Sequence, residues 1–413
     1  MSASPAPWSR RTAMAVFLVF AIAYFFSTLV RAITATLSPE LTEELGLNAR
    51  DLGLLAGGYF LGFSHTQLPL GRWLDRHGPR RVLLAFLSVA VLGCLAFAQA
   101  SSFVGLLLAR LLCGVGLSAC LMAPLTGYRR WFEASTQLRA NSWMLMTGSL
   151  GMVAATLPVQ WLLPLWGWRA LFVAMALCIA LAMLAIRVLV PAWSQDAAPD
   201  AAQNDDGGYA EVWRSRYFWR MAPIGFFSYG GMVAIQTLWA GPWMTQVAGW
   251  TPLAAATGLF AINLSMLTSF WLWGWITPGL ARRGIQVNQL IAWGLPLSLL
   301  ALAALVFIGP AAAGGAAALL AAFCVSSTFV SLAQPAVGMA FASHLAGRAL
   351  SAYNLVIFAG IFVVQWGIGL GVDFARGFGL ETAQAYQAAF GAFGFCSLLS
   401  WLFFLLFRAD NRQ

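Results

Sequence analysis

Twelve apolar runs, each long enough to cross a bilayer, dominate this sequence. They fall near residues 13–36, 52–70, 82–100, 103–126, 141–164, 170–190, 221–246, 254–277, 288–309, 314–337, 350–372 and 386–407. At about 1.5 Å per helical residue, each covers a hydrocarbon core of ~30 Å. Barrel strands would alternate over about 10 residues instead. The spacing therefore predicts an all-α polytopic membrane protein with twelve transmembrane helices. Composition supports this: charged residues are only 9% of the chain and hydrophobic ones 61%, against about 25% charge in a soluble protein. The first run follows Arg10-Arg11 as in a signal peptide. No cleavage-site pattern follows it, however, and apolar character continues past Arg31, so it reads as the first span.

All 23 basic residues are arginine, and the formal charge is +9. In a soluble protein that charge would point to nucleic acid; here it orients helices, and no nucleic-acid partner is expected. With a cytoplasmic N-terminus, eighteen arginines fall in inside loops and tails, including Arg72, Arg76, Arg80, Arg81, Arg129, Arg130, Arg282 and Arg283. Only Arg50, Arg169 and Arg376 fall outside, and Arg31 and Arg110 lie within spans. This bias predicts a bacterial inner-membrane location with both termini cytoplasmic.

The polar stretch 191–220, rich in small residues and acids, predicts a flexible cytoplasmic linker. It separates an N-terminal six-helix bundle, 1–190, from a C-terminal one, 221–413. The halves echo each other weakly. Arg139-Ala-Asn-Ser142 opens the fifth helix and Arg348-Ala-Leu-Ser351 the eleventh, each followed by a glycine twelve residues after its arginine, Gly151 and Gly360. Such a repeat suits alternating access. The six cysteines lie in apolar runs without metal-ligand spacing, so neither disulfide, metal site nor cofactor is expected.

Between the second and third helices, Gly71-Arg-Trp-Leu-Asp75-Arg76-His-Gly78-Pro-Arg80-Arg81 packs five charges into eleven residues. Gly71 and Gly78 would permit close approach and a tight turn. Asp75 could face a helix N-terminus or an arginine. This segment, with Arg110-x-x-x-Gly114-x-Gly116 in the fourth helix, resembles the loop and helix-four motifs of the major facilitator superfamily. The resemblance covers essentially the whole chain. It implies a monomeric secondary transporter of two pseudo-symmetric six-helix bundles around a central site. It also implies gating by the loop, with Asp75 reaching the eleventh helix near Arg76 and Glu133. The corresponding second-half loop, Gly274 to Gly284, lacks the acid.

Ionisable groups at membrane depth are costly and functional by default. Tyr24, Ser27, Thr28 and Arg31 share one face of the first helix. This pattern resembles anion-transporting members of the superfamily, which implies that Arg31 binds the substrate. Those proteins add a second arginine on the seventh helix; here that helix carries Gln236 and no arginine, a departure that argues against phosphate esters and leaves a singly charged carboxylate open. Arg110 and His65 are candidates for proton coupling, alongside structural roles. All fourteen acids fall in loops or at predicted helix ends, which disfavours cation/proton antiport. Asn263, Gln334, Asn354 and Gln365 each need a partner in lipid. Trp239, Trp243, Trp271 and Trp273 suit either interfacial belts or an aromatic ligand.

The sequence thus predicts a proton-coupled importer of a small organic anion. Arg31 would bind the carboxylate, with Tyr24, Ser27, Gln236 and Asn354 adding hydrogen bonds. The alternatives are an efflux pump for a neutral or amphipathic compound and a transporter-like sensor. No catalytic set indicates an enzyme.

Overall fold

The computed structural model describes residues 10–191 and 208–407; most of the expected linker and the arginines at 408 and 412 lie outside them. The described residues form helices and no strands. Among the described residues, eight helices are long and apolar enough to cross a membrane, and several of these double back. The stretch Val287–Met339 has 53 residues, about 80 Å if straight, and it reverses at Gly309, whose φ is 54°. Gln67–Gln99 breaks at Gly78 (φ 76°, ψ 161°), and Leu157–Leu189 breaks at Gly167 (φ 69°, ψ 161°).

Counted by traverse among the described residues, the helices are α1 (Arg10–Leu45), α2 (49–77), α3 (79–99), α4 (103–131), α5 (134–166) and α6 (168–189). The second half supplies α7 (216–247), α8 (Pro252–Arg282), α9 (Val287–Ile308), α10 (316–339), α11 (Ser343–Gly377) and α12 (Thr382–Leu406). Side chains such as Leu165, Val188 and Phe307 stay exposed around the outside, where lipid replaces water.

Two boundaries differ from expectation. Residues 208–220, expected as linker, are largely helical: Gly208–Arg214 forms a short helix and α7 begins at Arg216. Buried Phe218 packs edge-on against Trp213, 5.0 Å away, and against Tyr353 of α11, 6.2 Å away, which holds this turn to the bundle. The first helix, expected to end near 36, continues through Pro39 to Leu45. Pro39 cannot donate to the Ala35 carbonyl, and the Ser38 hydroxyl donates to that carbonyl at 2.9 Å instead. Glu40 is therefore a half-buried helical residue, with Oε2 buried and unpartnered.

The weak internal echo corresponds to matched packing. A Cβ on Gly151 of α5 would collide with the Phe25 carbonyl of α1. One on Gly360 of α11 would collide with the Phe226 carbonyl of α7. Small residues let backbones approach where burial gives no hydrophobic drive, and both halves use that device at corresponding helix pairs. Gly114 likewise brings α4 against the Tyr59 carbonyl of α2.

Candidate functional site

Arg110 fixes the position of α1. It is fully buried; Nη1 donates to the Val30 carbonyl at 2.8 Å and Nη2 to the Thr34 hydroxyl at 2.7 Å. These bonds flank Arg31 in sequence. The Ser27 hydroxyl donates to the Leu117 carbonyl at 3.2 Å, which ties the same face to α4. Gly148 of α5 leaves the space that the Tyr24 ring fills.

Arg31 is held by aromatic rings. Its guanidinium carbon lies 5.4 Å from the ring centre of Phe63, 5.9 Å from that of Phe358 and 6.0 Å from that of Tyr59. Phe63 and Tyr59 belong to α2, whereas Phe358 comes from α11 in the other half. Such contacts partly offset the cost of a desolvated cation. Tyr59 also faces Arg110, 5.3 Å from its guanidinium carbon. No described carboxylate forms an ion pair with Arg31 or Arg110. Among the described residues, the centre of the protein is therefore electropositive without a carboxylate counter-ion.

Arg31 opens on a cavity between the halves. It leaves about 70 Å³ accessible to the centre of a water molecule, room for several waters. Besides Arg31, the first half lends Ser149 and Met152 from α5. Tyr229, Met232, Val233 and Gln236 come from α7. α8 closes the wall with Asn263, Met266, Leu267 and Phe270. α7 reaches the cavity through wide turns: Ile224–Tyr229, Ile235–Trp239 and Trp243–Val247 are π-helical, a distortion common at functional sites. Within the wall, Gln236 Nε2 donates to Asn263 Oδ1 at 2.9 Å, and Asn263 Nδ2 donates to the Leu259 carbonyl at 2.9 Å.

Of the residues expected to bind substrate, the structure brings Arg31 and Gln236 to one cavity. Tyr24 and Ser27 are buried beside Arg31 on α1. Asn354 is placed elsewhere: its Oδ1 accepts from Gln334 Nε2, joining α10 to α11. Arg110 braces α1. His65 is exposed at the end of helix Ala49–His65, away from this polar cluster. Trp239 and Trp243 sit in the core rather than in a belt; Trp239 Nε1 donates to the Gln365 carbonyl at 3.1 Å. Tyr229 and Ser149 were not singled out from sequence. For Tyr229 a signal existed, since its seven-residue spacing to Gln236 matches that of Tyr24 to Arg31.

In the loop motif, Gly78 makes the expected turn, whereas a Cβ on Gly71 would meet open space. Gly71 is therefore not a point of close helix approach. Asp75, Arg76 and Arg81 are exposed and Arg80 half-buried. Among the described residues, Arg129, at the end of α4 in the same half, supplies a positive charge near Asp75.

The family model of the Major Facilitator Superfamily matches residues 20–365. The chain belongs to that superfamily, and its long apolar helices are those of a multi-pass membrane protein. It is 27% identical over 165 residues to the 4-hydroxybenzoate transporter PcaK of Pseudomonas aeruginosa, covering 40% of this chain and 36% of that protein. It is 28% identical over 187 residues to a chloramphenicol efflux pump of Mycobacterium tuberculosis, covering 45% of each. The matched regions thus span less than half of these relatives. Among solved structures, a bacterial homologue of the human lysosomal transporter Spinster, inward-facing and occupied, superposes with a TM-score of 0.79. That match covers 98% of this chain and 99% of that one at 16% identity, which speaks to the fold.

Proposed function

We propose that this transporter carries a small organic carboxylate into the cell across the bacterial inner membrane by alternating access, coupled to protons. The observation that carries the reading is Arg31: a cation at the wall of the inter-half cavity with no described carboxylate partner. An anion entering there would supply the missing counter-charge, and the low-dielectric surroundings would strengthen the pairing. One such cation suits a singly charged group. The relative named for 4-hydroxybenzoate, an aromatic carboxylate, fits this reading.

The unit works as a monomer, with residues 1–190 and 221–413 as the moving bundles and 191–220 joining them. The arginine distribution supports a cytoplasmic position for both termini and the Gly71–Arg81 loop. Asp75, Arg76, Arg80 and Arg81 then act at the cytoplasmic gate. The proton travels with the anion or through Glu40, two and a half turns beyond Arg31 on α1, in preference to exposed His65.

The rival reading is export of a neutral amphipathic compound. It is favoured by the methionine-rich wall (Met152, Met232, Met266) and by the chloramphenicol pump among the relatives. Proteoliposomes with an imposed pH gradient of either sign separate the two. Carboxylate accumulation driven by inward proton flow supports import, and chloramphenicol extrusion alone supports the rival. Binding without flux would indicate a sensor.

A further inference from the structure

The hydrogen-bond order in the cavity wall fixes which polar atom is offered to a ligand. The Leu259 carbonyl can only accept, so the Asn263 atom 2.9 Å from it must be the amide nitrogen. Asn263 Oδ1 therefore faces Gln236, and the Gln236 atom bonded to it at 2.9 Å must be Nε2. Gln236 Oε1 is left as an acceptor. It takes no hydrogen bond from a described residue and, unlike Gln365 Oε1, is not sealed from the cavity.

Apart from the Tyr229 hydroxyl, the rest of the lining is poor in hydrogen-bonding groups. The Ser149 hydroxyl is engaged with the Leu145 carbonyl at 3.3 Å. The surrounding wall of Met152, Met232, Met266 and Phe270 is soft and apolar. Thioethers pack well against ring edges. A polyhydroxylated acid would lose its hydration there without replacement, at a cost for every unpaired hydroxyl.

We propose that the cavity selects a monocarboxylate with a flat aromatic body and a hydrogen-bond donor distal to the carboxylate. The carboxylate sits on Arg31, the donor on Gln236 Oε1, and the ring among the methionines and Phe270. This rests on reading the cavity as the anion site and adds the shape and polarity of the rest of the molecule. Gln236 becomes the specificity-determining residue, with Asn263 holding its amide in orientation.

The test is uptake of radiolabelled 4-hydroxyphenylacetate into proteoliposomes, competed by unlabelled phenylacetate, 4-methoxyphenylacetate and gluconate. With the wild-type protein, the phenyl and methoxy acids should compete about tenfold more weakly than unlabelled 4-hydroxyphenylacetate, and gluconate not at all. Gln236→Leu should lower 4-hydroxyphenylacetate uptake to the phenylacetate level. Asn263→Leu, which frees the amide to turn over, should narrow the preference. Equal competition by the three aromatic acids, or preferred uptake of gluconate, would overturn this inference while leaving carboxylate transport standing. Failure of every carboxylate would overturn both. The wild-type competition series decides the matter even if a variant does not fold.

Discussion

Asp373 Oδ2 accepts the backbone N–H of Arg50 at 2.8 Å, and Oδ1 accepts that of Ala49 at 3.3 Å. A carboxylate near the end of α11 thus caps the first turn of α2 across the two halves. Asn48 and Asp51 already form a capping box there, so Asp373 adds charge to an ordered helix N-terminus rather than rescuing a frayed one. At the same end, a Cβ on Gly241 would press on the Ala35 carbonyl, and one on Gly53 of α2 would press on the Gln365 carbonyl of α11. These contacts must part if the cavity is to open on that side.

Asp373→Asn should therefore favour opening of that end. The lost charge–dipole term is about 0.3–2 kcal/mol, a shift of roughly two- to thirtyfold in the ratio of states. Spin labels at exposed Glu43 and Glu381, on opposite halves, should show a larger fraction of long distances by double electron–electron resonance. An unchanged distribution would mean that the bond does not bias the equilibrium.

Arg110→Lys should lower stability by about 1–3 kcal/mol. One ammonium cannot reproduce the forked pair of bonds to the Val30 carbonyl and Thr34. A lower unfolding temperature in detergent, with weakened substrate binding, would match a bracing role. Normal stability with loss of proton coupling alone would favour a relay instead.

Gly151→Val and Gly360→Val should each be destabilising, by about 1–3 kcal/mol or more, because the side chain meets backbone rather than a movable group. Gly347→Val, where a Cβ meets open space, should be mild by comparison. Thermal melts of the purified variants check this ordering.

His65→Ala should leave the rate and pH dependence of uptake within about twofold of wild type, since the imidazole is exposed and a surface substitution is usually small in effect. Glu40→Gln should reduce proton-driven accumulation more than counterflow, if this half-buried acid carries the proton. Uptake and counterflow measured side by side separate these outcomes.

The legible parts of this protein were those with a strong one-dimensional signal. Apolar length gave the traverses, Gly78 marked a reversal, and Gly151 and Gly360 marked matched close contacts. Glu40 was hidden because the first apolar run ends near residue 36, whereas the Ser38 hydroxyl on the Ala35 carbonyl helps α1 continue. The cavity wall was harder still. A polar residue in lipid needs a partner whether that partner is a helix or a ligand, so Asn354 and Asn263 looked alike. Gln334 claims the first, whereas the second joins Gln236 at the cavity. Arg31 stood out from both because no nearby acid could answer its charge.

The most direct test of the central claim is counterflow of a radiolabelled aromatic monocarboxylate in proteoliposomes holding wild-type, Arg31→Lys or Arg31→Ala protein. Loss of a charge-assisted partner at a buried site is worth about 2–5 kcal/mol. Arg31→Ala should therefore fall by about thirtyfold or more, and Arg31→Lys should retain part of the rate. Unchanged counterflow in folded Arg31→Ala would contradict the assignment of Arg31 as the anion's partner.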